Sequence, residues 1–475
     1  MKSLIKKVFL LLLPGLHLAG GAFAQQQQES FTLEECIEYA IQNNVNVKNE
    51  ALNRQIAQAQ VGETLSQGLP QISASGEFTY NVAVPTSFIP ARFQDPTAPE
   101  DLYFPVRFGI PYQANGSVRL TQLLFDGSYF VGLQAAKVYK SLAEKGQKRA
   151  EIDVAEGVSL AYYGALVAEA RSNLLNANIQ RLDSLYRETK AMNEQGFAEI
   201  IDVQRVKVNL NNVRTEFDNV QRSLGINLSM LKFQMGVPQS TPITLTQSID
   251  DFSLSEDYTN PDNFSYAQRI EYQQLQVNEE LASLEIRNNQ AQYLPRLSAF
   301  ANFGYNAGRA EFKGLFRETP DIVNRNPDTG ETTIIDANTW NEFASVGLNL
   351  TVPIFDGMLK ANRIKRGRLE RQQVQNQLVN LGNSIDLEIE RARVEMQNSI
   401  QSLASQRENM ELAQEVYRVS KIKYQEGVGS NLEVIEAENA FKTAETNYFN
   451  SLYNALVARV SYRKATGSLL NNNNN

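Results

Sequence analysis

The strongest constraint on this chain is that it is written twice. "QGLPQISASGEFTY" at 67–80 matches "QYLPRLSAFANFGY" at 292–305, an offset of 225. The tripeptide "FDG" occurs at 125–127 and again at 355–357, an offset of 230. "NEQGFAEIIDVQRV" at 193–206 matches "YQEGVGSNLEVIEA" at 424–437, and "KFQMG" at 232–236 matches "RKATG" at 463–467, both at 231. The landmarks keep one order and the offset drifts only where loops fall, which marks an internal duplication rather than a short-repeat solenoid. The first repeat is placed at 25–236 and the second at 264–467. A Pro/Asp/Ser/Thr-rich link occupies 237–263, and a low-complexity tail 468–475.

Each copy reads helix, strand, strand, very long helix, helix. The first helix opens on a capping-box pattern, Thr32-x-x-Glu35 and Ser265-x-x-Gln268, and runs to Leu69-Pro70 or Leu294-Pro295, where proline stops it. Strands are expected at about 71–84 and 114–125, then at about 296–307 and 342–354. In the first, Ile72, Ala74, Gly76, Phe78, Tyr80, Val82 and Val84 alternate with Ser73, Ser75, Glu77, Thr79 and Asn81. In the second copy Leu297, Ala299, Ala301, Phe303 and Tyr305 share a face, as do Ala344, Val346, Leu348, Leu350 and Val352. Period two over ten or more residues fits a transmembrane β-strand, apolar outward and polar inward. A soluble sandwich strand with one buried face is the competing reading. Against it, the strands are long and only four, and each pair brackets a loop much longer than usual. Four strands cannot close a barrel, and open edges are not tolerated in lipid. The chain must then share its barrel with copies of itself.

No proline interrupts the sequence from Ser128 to about Glu194 or from Met358 to about Glu426. Helices of that length rise on the order of 100 Å each. Ile389, Met396, Leu403, Met410, Tyr417 and Tyr424 fall at strict sevens, with mostly small residues three positions on; sustained sevens mean supercoiled packing. The first copy keeps part of that register, with Ile179, Leu182 and Tyr186 standing where the second has Met410, Ala413 and Tyr417. Gly196 and Gly427 end the long helices and open tip turns at about 194–199 and 425–430. Long antiparallel helical hairpins attached to a β-barrel would form a conduit.

Composition narrows the function. Residues 1–24 read as a removed secretory signal: Lys2, Lys6 and Lys7 precede an apolar run, and Ala22-Phe23-Ala24 is a cleavage pattern. The single histidine, His17, would leave with it, and the single cysteine is Cys36. That argues against intramolecular disulfides, imidazole metal sites, His-based catalysis and a lipid anchor at the cleavage point. Loss of the signal lysines takes the formal charge from −8 to −11. Such an acidic chain is a poor nucleic-acid binder. No later stretch approaches a transmembrane helix in length.

The duplicated Leu-Pro strand entries, the "FDG" strand exits and the turns "EQGFAEIIDV" and "QEGVGSNLEV" together resemble the TolC family of outer-membrane efflux and secretion channels, over essentially the whole mature chain. The resemblance implies a homotrimer with a 12-strand transmembrane β-barrel continued by a 12-helix periplasmic α-barrel, in the bacterial outer membrane. It also implies a periplasmic membrane-fusion adaptor at the tips, joined to an inner-membrane pump. No cofactor, metal or catalytic residue is implied. Carried over by position, Gln195, Gly196, Phe197, Glu426, Gly427 and Val428 match adaptor-contacting turns. Glu433 and Glu436 match paired acids that ring the pore, while Asp202 and Tyr424 match residues that tie neighbouring hairpins together in the shut state. One departure stands out: the family pattern pairs the acid at Asp202 with an Arg two residues after the second turn's Gly, and here that position is Gly429.

Simpler roles exist for most of these residues. Ser430-x-x-Glu433 is itself a capping-box pattern, Asp202 suits a helix N-terminal dipole, and Tyr424 continues the heptad seam. The FDG sites read as joints: Phe125 and Phe355 at the lipid boundary, Asp126 and Asp356 capping the next helix, Gly127 and Gly357 letting the chain turn. An outer-membrane scaffold or adhesin with non-conducting hairpins is the alternative to a duct. An outer-membrane enzyme such as a phospholipase or protease has no supporting spacing.

Overall fold

The computed structural model describes residues 29–107, 109–252, 264–317, 322–325, 330, 332–335 and 340–470. The expected signal, residues 253–263 of the link and Asn471–Asn475 lie outside them. The chain forms two compact units, and each draws on both sequence copies. The first takes residues 29–45, 154–252 and 394–461, and the second takes 46–153, 264–393 and 462–470.

The repeated element order is present. In the first copy α1 (Leu33–Asn43) and α2 (Val45–Ser66) precede β2 (Gln71–Tyr80) and β5 (Tyr112–Phe125), followed by α3 (Gly127–Glu194) and α4 (Ile200–Met235). In the second, α5 (Ile270–Ala291) precedes β7 (Arg296–Arg309) and β10 (Trp340–Thr351), then α6 (Leu359–Gln425) and α7 (Asn431–Ala465). Elements not foreseen are the short parallel pair β1 (Glu29–Phe31) and β6 (Ile243–Leu245), and the hairpins β3 (Thr86–Pro90)/β4 (Tyr103–Arg107) and β8 (Ile322–Arg325)/β9 (Thr332–Ile335). The two hairpins lie within the long loops that follow β2 and β7. β10 stops at Thr351, short of the expected 354, because Pro353 has no N–H to donate to a ladder. β2 stops at Tyr80 rather than 84, while β5, β7 and β10 each start or run two residues beyond expectation.

In the second unit β10, β7, β5 and β2 form one antiparallel sheet in that order. Its register stacks like with like. The row Ile72–Leu120–Ala301–Val346 and the row Ala74–Val118–Phe303–Ala344 lie on one face. The intervening row Ser73–Arg119–Asn302–Ser345 lies on the other. Alternation within each strand therefore becomes one apolar and one polar face across all four, since side chains repeat every second residue. The apolar face is bare: Ile72, Phe78, Val118, Leu120, Phe303, Val346, Leu348 and Leu350 are all exposed. Two large rings break the polar face, and each covers a glycine on the paired strand. Phe343 lies opposite Gly304 and Phe300 opposite Gly347, and a Cβ on either glycine would come within 2.8 Å of the ring. Arg119 adds its guanidinium 5.5 Å from the Phe300 ring centre.

The capping box at Thr32 is complete, with Glu35 Oε2 accepting from Thr32 N at 2.7 Å and Thr32 Oγ1 from Glu35 N at 3.3 Å. The expected box at Ser265 is not. Ser265 Oγ accepts from Ala267 N, a short 3-10 turn covers Tyr266–Gln268, and α5 starts only at Ile270 with Arg269 as its N-cap. The first-copy helix is likewise broken, at Asn44, between α1 and α2. These two breaks occupy matching places. Each return helix ends on a left-handed glycine, Gly236 (φ 74°) or Gly467 (φ 73°). The glycine packs against the carbonyl of Asn43 or Gln268, where a Cβ would sit 2.8 or 2.7 Å from the oxygen. The next residue turns extended and reaches back: Asn44 Nδ2 donates to Gln234 O at 2.7 Å, and Arg269 Nη1 to Ala465 O at 2.8 Å. Asn44 and Arg269 are both buried, so one joint is built twice with different side chains.

In the first unit the core is a seam of helices. Ala161, Ala168, Leu175, Leu182 and Thr189 of α3 are buried at strict sevens, as are Val206, Val213 and Val220 of α4. α3 thus carries a heptad seam longer than the partial register read from the sequence, and Ile179, Leu182 and Tyr186 of that register pack in the same cluster as Met410, Ala413 and Tyr417. On the part of α6 in this unit, Met396 and Tyr417 are buried, with Leu403, Met410 and Tyr424 half-buried between and beyond them; Ile389, earlier in the same heptad, is buried in the second unit. Leu175, Leu182, Leu185, Val206, Leu210, Val213, Val220, Tyr417, Val434, Ala437 and Phe441 form one cluster from all four helices. The Tyr417 and Phe441 rings are stacked, 6.2 Å between centres.

Candidate functional sites: hairpin tips and strand-to-helix joints

Both hairpin tips are built by the same backbone device. After α3, Phe197 N donates to Met192 O at 2.8 Å and Gly196 N to Asn193 O at 3.0 Å, with Gly196 at φ 79°. After α6, Val428 N donates to Lys423 O at 3.0 Å and Gly427 N to Tyr424 O at 3.1 Å, with Gly427 at φ 74°. A left-handed glycine that lets the following N–H close on the last turn is the helix C-terminal motif expected here. Nothing lies within 4 Å of where a Cβ would stand on either glycine, so conformation rather than space selects glycine there. The residue after each glycine, Phe197 or Val428, is more than three-quarters exposed. Gln195 and Glu426 flank them, also exposed. Each tip therefore presents an apolar side chain beside a polar one, clear of the helical core.

The second tip also explains the departure at Gly429. A Cβ there would lie 2.9 Å from Lys423 Cβ and 3.2 Å from the Lys423 carbonyl carbon. The fold-back that seats Gly429 N on Lys423 O at 3.0 Å is too tight for an arginine in the same backbone. Asp202, in the first turn of α4, instead pairs with Arg205 of its own helix at 3.6 Å. Tyr424 packs its ring against the helical cluster, and among the described residues its buried hydroxyl has no hydrogen-bond partner. Glu433 N donates to Ser430 Oγ at 3.2 Å, so Ser430 caps α7. Glu433 and Glu436 are both exposed, on a different face from Val434, Ala437 and Phe441, which enter the core.

The two strand-to-helix joints differ in detail. Asp126 Oδ1 accepts from Ser128 N at 2.8 Å and from Tyr129 N at 3.3 Å, the geometry of a helix N-cap. Asp356 Oδ2 accepts from Lys360 N at 3.0 Å, and Lys360 Nζ lies 3.4 Å from it. Gly357 (φ 64°) and Met358 (φ 67°) both take left-handed conformations before α6 begins. Gly127 does not: it is the first helical residue of α3. Its reason for being glycine is space, since a Cβ would lie 2.7 Å from Leu294 Cδ1 and 3.1 Å from Ala291 O. Of the two glycines only Gly357 takes a left-handed turn conformation; Gly127, expected to turn as well, is helical. Phe125 and Phe355 are both exposed.

Sequence reading missed the buried polar layer between the helices of the first unit. Asn178 of α3 donates to Glu445 of α7 at 3.0 Å, and Asn209 of α4 donates to Glu438 of α7. All four side chains are buried. A signal is present in the sequence, since Asn431, Glu438, Glu445 and Leu452 stand at sevens.

A sheet with a bare apolar face, two of whose strands lead along the chain into long helices with matched tips, is the make-up of a membrane-strand-and-hairpin protein. The sequence profile of the outer membrane efflux protein family matches residues 36–237 and 266–468, once for each copy, and the chain belongs to that family. It is 22% identical over 444 residues to the toluene efflux pump outer membrane protein TtgC of Pseudomonas putida, covering 92% of this chain and 82% of that protein. It is 20% identical to the outer membrane protein TolC of Escherichia coli, covering 98% and 87%. Among solved structures, the Campylobacter jejuni CmeC outer membrane channel superposes with a TM-score of 0.67 at 17% identity, covering 96% of this chain and 94% of that one. The protein is accordingly an outer-membrane channel protein that extends into the periplasm, and it is not an enzyme. It serves as an outer-membrane exit duct for efflux.

Proposed function

We propose that three copies of this chain close one twelve-stranded barrel and act as the passive outer-membrane exit of a tripartite pump. The observation that carries this reading is the four-stranded sheet. One face is apolar and exposed, and among the described residues β2 and β10 are each paired on one side only. Because every neighbouring pair is antiparallel, β2 and β10 run in opposite directions. The β10 edge of one copy can therefore pair antiparallel with the β2 edge of the next, which removes every open edge from the lipid. Four strands per copy admit barrels of eight, twelve or sixteen strands; the family resemblance selects twelve. Phe125 and Phe355 then stand at the membrane boundary as part of an aromatic girdle. The apolar tips at Phe197 and Val428, with Gln195, Gly196, Glu426 and Gly427, meet the periplasmic adaptor, which links the duct to an inner-membrane pump. Residues 1–24 are the export signal.

The test is single-channel recording with the purified full-length protein in planar bilayers, together with its mass in detergent. A stable trimer with discrete conductance steps is expected. A monomer, or a trimer that never conducts even with its adaptor present, would leave only a scaffold.

A further inference from the structure

Two buried carboxyl groups join the helical hairpins of the first unit. Glu438 and Glu445 stand seven residues apart on α7, and each meets an asparagine of the other hairpin: Asn209 on α4 and Asn178 on α3. Glu438 is 8% exposed and Glu445 4%, and among the described residues Glu445 Oε1 has no hydrogen-bond partner. A carboxyl oxygen that is buried and unpartnered suits a protonated group, which carries one charge fewer to desolvate. Single polar residues at heptad positions fix register between helices at some cost in stability.

We propose that Glu438 and Glu445 form a proton-sensitive register lock, binding α7 to α3 and α4 when protonated and loosening that packing when ionised. Charged or titratable neighbours of the pair come from all four helices. Arg171 and Arg181 come from α3, Glu216 from α4, Tyr417 from α6 and Lys442 from α7 itself. Burial is the dominant influence and raises both carboxyls from 4.5 to about 7. The positive charge of Arg181 and the asparagine hydrogen bonds act in the opposite direction and do not offset it. Nearby Tyr417 is raised to about 12, first by burial and then by Glu438, so it stays neutral over the relevant range. A carboxyl with a raised folded-state value contributes fully below its unfolded value of 4.5 and loses that contribution as pH climbs through about 7. Acidification therefore tightens this seam and mild alkalinity relaxes it.

Hydrogen exchange on the full-length protein reads the lock directly. After correction for the intrinsic pH dependence of exchange, amides of α4 and α7 around Asn209 and Glu438–Glu445 are expected to open roughly tenfold or more readily at ~pH 8 than at ~pH 5.5. In E438Q/E445Q the amides stay protected at both values, because glutamine keeps the hydrogen-bonding shape without a titrating proton. If the double variant does not assemble, the same titration is followed in the wild-type protein by the infrared signal of protonated carboxyls, with E438Q and E445Q singly as assignments. An unchanged pH dependence in the double variant, or carboxyls already ionised at ~pH 5.5, would overturn the proposal.

Discussion

Gly236 and Gly467 illustrate how much one missing Cβ decides. Both sit at positive φ, and at both a Cβ would drive into a backbone carbonyl oxygen less than 3 Å away. Gly196 and Gly427 share the left-handed conformation but face open space. The two pairs separate conformational from steric cost. Gly196→Ala and Gly427→Ala are expected to destabilise by about 1–2 kcal/mol each, the left-handed penalty alone. Gly236→Ala and Gly467→Ala must add the displacement of Asn43 or Gln268, and should lose roughly 3 kcal/mol or more. Thermal melting of the four single variants in one detergent checks the order. Equal losses at all four sites would mean the close approach at Gly236 and Gly467 relaxes without cost.

Between elements, the helical seam combines apolar sevens with buried polar contacts of opposite sign in their response to pH. Glu216 of α4 accepts from Arg171 of α3 at 2.7 Å and pairs with Lys442 of α7. Its carboxyl is pushed up by burial, but the hydrogen bonds from Lys442 and Arg171 outweigh that and leave it lowered. A lowered carboxyl stabilises the fold above its unfolded value of 4.5 and loses that contribution as pH falls through its folded value. Glu216→Gln should therefore cost about 1–2 kcal/mol near neutral pH and far less at acid pH, once the folded carboxyl is protonated. Denaturation under both conditions measures the difference, and a cost independent of pH would assign Glu216 to packing alone. Glu438 and Glu445 bias the same seam the other way. The heptads were legible because apolar residues at sevens have few alternative explanations. The polar layer was not, because a glutamate's letter does not reveal whether a partner helix covers it.

For the molecule as a whole, the exposed pair Glu433 and Glu436 acquires meaning only through assembly. In a trimer six carboxylates would crowd the periplasmic entrance, and a ring of acids favours cations. Glu433→Gln/Glu436→Gln is expected to lower the cation-to-anion permeability ratio by roughly twofold or more while channels still form. Reversal potentials in asymmetric salt give the ratio directly. An unchanged ratio would reduce Glu433 and Glu436 to ordinary exposed glutamates of α7 and leave the duct intact. The local sequence departs from the family pattern at Gly429, and Asp202 pairs within its own helix. Any shut-state tie in this channel must therefore use other groups than an arginine at that position.

Sequence alone determined the duplication, the four long strands with their two faces, the Pro-free helices and the left-handed glycines at the tips. Each of these is a local or periodic property, enforced by covalent geometry and by the alternation of side chains along one element. Tertiary structure decided what periodicity cannot carry. It set the helix breaks at Asn44 and Arg269, where a buried side chain reaches a carbonyl on another helix. It made Gly127 a matter of space and Gly357 a matter of conformation, although both stand in the same tripeptide. It also placed Glu438 and Glu445 inside the seam and left Glu433 and Glu436 outside it. The four glutamates lie within thirteen consecutive residues of one helix, and only the neighbours packed against that helix distinguish a buried acid from an exposed one.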